Sequence, residues 1–245
     1  MGKIYSTTAP GLFSRGPFPI PPRRRIANQF HRLFSIKAGM RTVCVESPLE
    51  ADAIYWAESD PNIIEVCEQP LRIHMPFGNR PYFTFDISFK WTSGNECFYE
   101  IKPESSMERS SNNNLIPKNW EVIQDICRAN AYTCQVLSDK TINEKSLEIA
   151  NWRRLLPYAR TAYESDEPWI VEMIIHVLKG IDKATIYQVF AQMPEVSNEK
   201  IICFIAKLIH QGQMSANLNS ARLSGMTTLW VSHNLTDTFH KHVLT

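Results

Sequence analysis

The sequence has few glycines and no closely paired cysteines. Nine glycines occur in 245 residues and form no glycine-rich phosphate-binding loop, so an ATPase function has no support. The six cysteines include no Cys-x-x-Cys pair, which argues against structural zinc and favours buried thiols in a reducing compartment. The pattern also shows no nucleophilic serine or cysteine arrangement. These absences argue against an ATPase, a zinc-stabilised domain and an enzyme with a serine or cysteine nucleophile.

Long apolar runs are missing as well. The longest ones are far too short to cross a bilayer, and the N-terminus shows no signal-peptide pattern. The sequence therefore predicts a cytoplasmic protein without a membrane partner. Among the seven histidines, His240 and His242 lie near the end of the chain and are interpreted as part of a tail and not as metal ligands. His74, in an alternating strand pattern, is interpreted as structural.

Acidic residues are absent from the first 45 positions, which carry eight Lys or Arg. Because the whole chain has a net charge of +1, the remaining 200 residues have a net charge of −7. A basic arm on an acidic body favours contact with a polyanion, although a solubilising tail is the alternative. A Pro-rich stretch before Arg23 predicts an extended, polyproline-like conformation. The predicted DNA-binding residues are Arg23, Arg24, Arg25, Arg32, Lys37 and Arg41.

The most informative feature is a predicted β-hairpin of residues 83–91 and 96–102, joined by the three-residue loop 93–95. Side chains two residues apart share a face of a strand, so this hairpin places Asp86, Glu100 and Lys102 together, with Asp86 opposite Lys102. Two carboxylates and a lysine can hold a divalent cation beside an activated water, which is the equipment for phosphodiester hydrolysis. Taken alone, the alternating charges are more typical of a solvated sheet face.

The segment before the hairpin predicts a helix that begins near Ser47. Ser47 can cap the helix, Pro48 suits its first position, and Glu50 can complete a capping box by reaching back to the Ser47 amide. A strand follows, with apolar residues at 71, 73, 75 and 77. A helix carrying a glutamate, then a strand, then a hairpin carrying Asp and Glu-x-Lys is the order of elements in restriction-endonuclease-like nucleases.

Five motifs occur along the chain in a specific order: Ser-Pro-Leu-Glu50, Glu58-Ser-Asp-Pro-Asn-Ile63, Glu68-Gln-Pro70, Phe-Asp86 and Tyr-Glu-Ile-Lys-Pro103. From about residue 37 to 158 this series resembles TnsA, the endonuclease subunit of heteromeric cut-and-paste transposons, including the CRISPR-associated ones. The resemblance implies a PD-(D/E)xK catalytic domain in which the catalytic acids fall on Glu50 and Asp86 and the lysine on Lys102. Glu100 stands where some family members have Gln, a departure that leaves metal binding intact.

The resemblance implies a Mg²⁺-dependent endonuclease, for which Mn²⁺ can substitute. The expected metal ligands are Glu50, Asp86, Glu100 and the Ile101 carbonyl, and Lys102 would orient and help deprotonate the attacking water. The substrate would be double-stranded DNA at the 5′ ends of a transposon, cut in the bacterial cytoplasm in association with the nucleoid. A TnsB-type transposase and a TnsC-type AAA+ ATPase would be the partners. The alternatives are an autonomous restriction or repair nuclease and a non-catalytic adaptor between DNA and protein.

The rest of the chain predicts an α/β protein with a second domain. A helix at 117–131, a strand at 133–137 and a helix capped by Asn143 would complete the catalytic domain. Three helices beginning near 168, 184 and 198, followed by two strands, predict a winged helix. The start of its third helix has little basic character, which favours protein docking or weak DNA contact over sequence-specific readout. The predicted divisions are an arm (1–36), a restriction-endonuclease-like domain (37–158), a linker (159–168) and a winged-helix domain (169–245).

Overall fold

The computed structural model describes residues 11–19, 30–75 and 80–232, in a mixed α/β fold with several sheets. The chain divides into two compact units, one formed by Met1–Ala57 and Ile63–Glu144 and the other by Glu58–Asn62 and Lys145–Thr245. Within the described ranges, every helix falls short of the length and apolar character that crossing a membrane requires.

The first unit combines short strands with three helices in its described part. Its strands are β1 (Phe13–Arg15), β2 (His31–Ser35), β3 (Arg41–Val45), β4 (Ile63–Glu68), β5 (Leu71–Ile73), β6 (Phe83–Thr84), β7 (Ile87–Trp91), β8 (Glu96–Lys102), β9 (Glu108–Arg109), β10 (Leu115–Ile116) and β11 (Thr133–Ser138). Its helices are α1 (Pro48–Ser59, whose last two residues are grouped with the second unit), α2 (Trp120–Ala129) and α3 (Asp139–Asn143).

A four-stranded sheet in the order β11-β8-β7-β4 is the centre of this unit. β8 runs parallel to β11 and antiparallel to β7, and five consecutive residues of β8 are buried because both faces of the sheet are covered. On one face, α2 buries Trp120, Ile123, Ile126 and Cys127 against Phe98. These are the four residues whose helical spacing predicted this helix, and β11 and β8 also lie where the sequence predicted strands.

The register of the hairpin differs by two residues from the predicted one. Ser88 lies opposite Phe98, and Lys90 opposite Glu96, instead of Ser88 opposite Glu100. The cause is Gly94, whose φ of +85° places it in the left-handed region. A three-residue hairpin loop has its left-handed residue in the last position, so the loop is 92–94 and not 93–95. A shift of two residues keeps the side chains of β8 on their predicted faces relative to those of β7.

The first strand of the hairpin is interrupted, whereas the sequence predicted one strand from 83 to 91. The Phe85 amide donates to the Leu71 carbonyl (3.0 Å), but the Asp86 amide donates to the Tyr99 carbonyl (2.9 Å). The chain therefore leaves the small sheet β1-β5-β6 and joins the central sheet between these two residues. Because alternation is broken there, Phe85 packs with Trp120 and not on the side of Ile87. Asp86 lies at the crossing point.

The second unit contains four described helices and a three-stranded sheet. The helices are α4 (Ser146–Tyr163), α5 (Pro168–Ile181), α6 (Ile186–Gln192) and α7 (Asn198–His210), and the strands are β12 (Lys183–Thr185), β13 (Met214–Ala216) and β14 (Thr228–Val231). The sheet is antiparallel in the order β12-β14-β13. The predicted helices α5–α7 and the hairpin β13-β14 are confirmed, as is the Ser197 cap of α7. β12 was not predicted.

Helix α4 is grouped differently from the prediction. The sequence placed it at the end of the first domain, started by an Asn143 cap and ended before a linker at residue 159. In the structure, Asn143 is the last residue of α3, and α4 continues to Tyr163 and packs along α7 in the second unit. Its buried face includes Trp152, Leu155 and Leu156. Its helical periodicity showed the apolar face but not which partner covers that face.

Asn151, a buried polar residue of α4, organises the loop between β13 and β14. Its amide nitrogen donates to the carbonyls of Leu218 (2.7 Å) and Ala221 (2.8 Å), and its oxygen accepts from the Leu223 amide (2.8 Å). Asn151→Leu keeps the side-chain shape but leaves three backbone groups without partners. We expect a loss of about 3 kcal/mol or more in the free energy of unfolding, measured by urea denaturation. Asn219→Leu, at an exposed position of the same loop, is the control and should change it by less than about 0.5 kcal/mol.

Candidate active site

Asp86 is held at the sheet crossing by its backbone and its side chain. Its carbonyl accepts from the Gln69 amide (2.8 Å). Its Oδ2 atom accepts from the Ile101 amide (2.7 Å) and lies 3.3 Å from the Lys102 ammonium. The Asp86 carboxylate therefore accepts a hydrogen bond from a backbone amide of β8 at a position just before β7 begins. This contact fixes the direction of the carboxylate, and it could not be foreseen from the hairpin pattern.

Lys102 lies among three oxygen atoms. Its Nζ is 2.8 Å from Glu100 Oε1, 3.3 Å from Asp86 Oδ2 and 3.1 Å from the Ile101 carbonyl oxygen. These oxygens belong to three of the four predicted metal ligands. The structure thus brings Asp86, Glu100, Ile101 and Lys102 together, although the register of the hairpin is not the predicted one.

Glu50 combines a structural role with a place near this cluster. The Glu50 amide donates to Ser47 Oγ (3.2 Å), as a helix cap requires, and the Ser47 hydroxyl donates to Glu50 Oε1 (2.8 Å). The Glu50 carboxylate reaches back to the Glu46 amide (2.9 Å), one residue earlier than the predicted Ser47 amide. Burial and then the charge of Asp86 raise its pKa, and the charge of Lys102 lowers it, so the Glu50 carboxylate lies within electrostatic reach of both residues.

Burial and mutual repulsion shift the protonation of the glutamates. Burial, and then the charge of Asp86, raise the pKa of Glu50 from 4.5 to about 7 and that of Glu100 to about 8. For Lys102, burial lowers the pKa, but the nearby carboxylates of Asp86 and Glu100 raise it by more, so its pKa is above the ordinary value. Near neutral pH Lys102 therefore carries its proton, and Glu50 and Glu100 hold protons that ordinary glutamates would have lost.

Glu100→Gln tests this protonation through stability. The folded chain keeps the Glu100 proton up to a pKa of about 8, whereas the unfolded chain loses it near 4.5. Between these values the folded state binds more protons, so this group's contribution to stability is present at low pH and is lost as the pH rises. We expect the stability of Glu100→Gln, relative to the native chain, to increase by up to about 5 kcal/mol between these pH values, because each unit of pKa difference is worth about 1.4 kcal/mol. Urea denaturation across this range measures it, and Glu108→Gln, at an exposed position, should show no such trend.

The donor chemistry of the cluster suits a hard cation, since carboxylate and carbonyl oxygens are the ligands that Mg²⁺ prefers. Within residues 11–19, 30–75 and 80–232, however, no group of three or more His, Cys, Asp or Glu side chains is arranged to hold a metal ion. The position among the oxygens of Asp86, Glu100 and Ile101 is taken by the Lys102 ammonium. A side-chain ammonium of the protein itself therefore brings these three oxygens together.

No protein-family model matches the chain, and no curated protein matches it. The resemblance to TnsA therefore rests on the ordered motifs alone. Gln69 is one residue whose role sequence reasoning missed. Gln69 is buried and has a φ of +44°. Its backbone amide donates to the Asp86 carbonyl, and its side-chain Nε2 atom donates to Glu46 Oε1 at 3.4 Å. Its place in the Glu68-Gln-Pro70 motif was the signal that could have found it.

The predicted DNA-binding residues are distributed over different environments. Arg32 is exposed, and its side chain makes no hydrogen bond or ion pair with any residue that the structure describes. Arg41 forms a bidentate ion pair with Glu68. Lys37 is buried and donates to the Ala57 carbonyl (2.7 Å), which argues against a phosphate contact. Arg23, Arg24 and Arg25 lie outside the described residues, as do His240 and His242, whereas His74 lies 2.6 Å from the Ser14 hydroxyl.

Proposed function

We propose that the chain is a metal-dependent DNA endonuclease whose site consists of Glu50, Asp86, Glu100 and Lys102. The single observation that carries the proposal is the convergence of Asp86, Glu100 and the Ile101 carbonyl on one positive centre. A solvated sheet face would not require this arrangement, because its charges would point into water. Glu100 and Glu50 are instead buried, with pKa values raised towards neutrality, as is frequent at functional sites.

Mg²⁺ would be held by Asp86, Glu100 and the Ile101 carbonyl, with Glu50 beside them, and would polarise a phosphate oxygen and acidify a bound water. Lys102 carries its proton at neutral pH, so it is suited to orient the attacking water and to stabilise negative charge on the phosphate, and less suited to remove a proton. Burial and the charge of Asp86 raise the pKa of Glu50 to about 7, so this carboxylate would be suited to take up the proton that the water loses.

The finer proposal is that the protein cuts double-stranded DNA at the 5′ ends of a transposon, with a TnsB-type transposase and a TnsC-type ATPase. Its support is the ordered set of motifs in a restriction-endonuclease-like order of elements. In the second unit, the order α5-β12-α6-α7-β13-β14 supports a winged-helix domain. Lys200, in the first turn of α7, pairs with Glu167 at 2.6 Å, and Tyr187 and Met226 are exposed. These features favour protein docking over base readout by this unit.

The proposal is tested by incubating the purified chain with Mg²⁺ and DNA, alone and with a TnsB-type transposase and a TnsC-type ATPase. Cleavage that needs the partners supports the transposition role. Site-specific cleavage by the chain alone would favour an autonomous nuclease. The non-catalytic adaptor predicts no cleavage in any combination, together with a calorimetric Mn²⁺ titration that is identical for the native chain and Asp86→Ala.

A further inference from the structure

A cleft of about 520 Å³ opens in the first unit, and none of its walls belongs to the catalytic cluster. Its lining includes Pro17, Phe18, Pro19, Phe30, Arg32 and Glu68. Two aromatic rings and two prolines make most of the lining apolar, and a guanidinium and a carboxylate provide its polar part. Such a combination of a few polar groups with apolar walls is typical of a ligand site.

The aromatic wall of the cleft is held in place. The Gly16 amide donates to the Pro70 carbonyl (2.7 Å), and the Phe18 amide donates to the Gln69 carbonyl (3.3 Å). The Arg72 guanidinium lies 4.0 Å from the centre of the Phe18 ring and 4.1 Å from that of Tyr82, between the two rings. Phe18 is therefore fixed before any ligand binds, which lowers the entropy cost of binding.

Gln69 connects the cleft to the candidate active site. Its carbonyl accepts from Phe18 in the cleft wall, and its amide donates to the carbonyl of Asp86 (2.8 Å). Glu68, which also lines the cleft, lies opposite Ile87, the residue that follows Asp86. Two backbone hydrogen bonds, both made by Gln69, therefore join the cleft wall to the backbone of Asp86.

The charge of the cleft is positive. Glu68 is neutralised by its bidentate ion pair with Arg41, whereas Arg32 is exposed and has no partner among the described residues. The ten residues that join Pro19 to Phe30 include Arg23, Arg24 and Arg25 and no acidic residue.

We propose that this cleft binds an unpaired nucleotide of the DNA strand that enters the candidate active site. The proposal rests on the proposed nuclease function and deepens it, because it states that the substrate is locally single-stranded next to the scissile phosphate. Phe18 and Phe30 would stack against the base, and Arg32 would contact the adjoining phosphate. An apolar peptide could use the same aromatic rings, but it would leave the Arg32 charge without a counterpart, so the charge favours a nucleotide.

The test is fluorescence anisotropy with a labelled oligothymidylate of about ten nucleotides, in chelator-containing buffer so that no cleavage occurs. Phe30→Leu and Phe18→Leu keep apolar bulk but remove the aromatic faces, and each should weaken binding about fivefold or more. Arg32→Gln should weaken binding and reduce the slope of log affinity against log salt by about 0.7. Tyr158→Leu and Arg109→Gln, exposed positions outside the cleft, are the matched controls and should leave binding unchanged. Circular dichroism verifies that each variant folds.

Oligothymidylate affinity that is the same for the cleft variants and the native chain would overturn the proposal. It would also be overturned if the phenylalanine variants lost only binding to the partner transposase, since the cleft would then take a protein segment. Failure of the cleft is distinguishable from failure of the nuclease. Cleavage that depends on Asp86 with unaffected cleft variants overturns the cleft alone, whereas impaired oligonucleotide binding without any cleavage overturns the nuclease alone.

Discussion

Asp86→Asn is expected to reduce DNA cleavage by about a thousandfold. The substitution keeps the shape of the side chain, and an asparagine oxygen can still accept the hydrogen bond from the Ile101 amide, which the native carboxylate accepts at 2.7 Å. What it removes is the negative charge that draws Lys102 and that would bind the metal. The fold should therefore persist, and a cleavage assay under single-turnover conditions measures the loss of the chemical step.

The same variant has a second readout that does not need activity. The charge of Asp86 is one of the causes that raise the pKa of Glu50 and of Glu100, so Asp86→Asn should lower both pKa values. NMR titration of the carboxyl carbons measures this change. Asp125→Asn, which removes an exposed carboxylate of α2 paired with Arg128, is the control for both experiments. Undiminished cleavage by Asp86→Asn would exclude this residue from the site.

Local patterns predicted those elements whose neighbours along the chain determine them. The apolar spacing of α2 predicted its buried face, and Ser47 followed by Pro48 predicted the start of α1. β8 was predicted with its observed bounds, Glu96–Lys102, because turn residues precede it and a proline follows it. In each case the signal lies within one element and needs no information about its partner.

Contacts between distant segments were not predictable in this way. The break between Phe85 and Asp86 arises because the amides of these neighbours pair with different strands, through Leu71 and Tyr99. The burial of Lys37 and the ion pair of Arg41 with Glu68 depend on segments 20 or more residues away. Lys37 and Arg41 were therefore predicted to contact DNA because of their charge, whereas in the structure Lys37 donates to the Ala57 carbonyl and Arg41 pairs with Glu68.

Asp86, Glu100 and Lys102 nevertheless lie close together, as the hairpin pattern predicted, for a reason that lies in strand geometry. Moving the loop from 93–95 to 92–94 shifts the partner of each residue by two positions, and an even shift leaves the face of a side chain unchanged. Asp86 does not depend on this alternation at all, because it lies before β7 begins and reaches β8 through its carboxylate. The sheet face on which these side chains lie was predictable from the sequence, but their hydrogen bonds and ion pairs were not.

Lys102→Met separates metal binding from catalysis, because the two should change in opposite directions. The Lys102 ammonium lies among the oxygens of Asp86, Glu100 and Ile101, at 2.8–3.3 Å, where it competes with a metal ion for the same donors. Methionine keeps the length and the apolar stem without the charge. Mn²⁺ should therefore bind more tightly to Lys102→Met in a calorimetric titration, whereas cleavage should fall about a hundredfold or more because the charge that stabilises the phosphate is lost.

The sign of the metal effect depends on pH. Lys102 lowers the pKa values of Glu50 and Glu100, so its removal raises them further and makes protons stronger competitors of the metal near neutrality. The tighter Mn²⁺ binding is thus expected in alkaline buffer, where both glutamates are ionised, and it should diminish as the pH falls towards 7. Lys118→Met, an exposed substitution near α2, should change neither quantity. Weaker Mn²⁺ binding by Lys102→Met even in alkaline buffer would show that Lys102 does not compete with a metal for these oxygens.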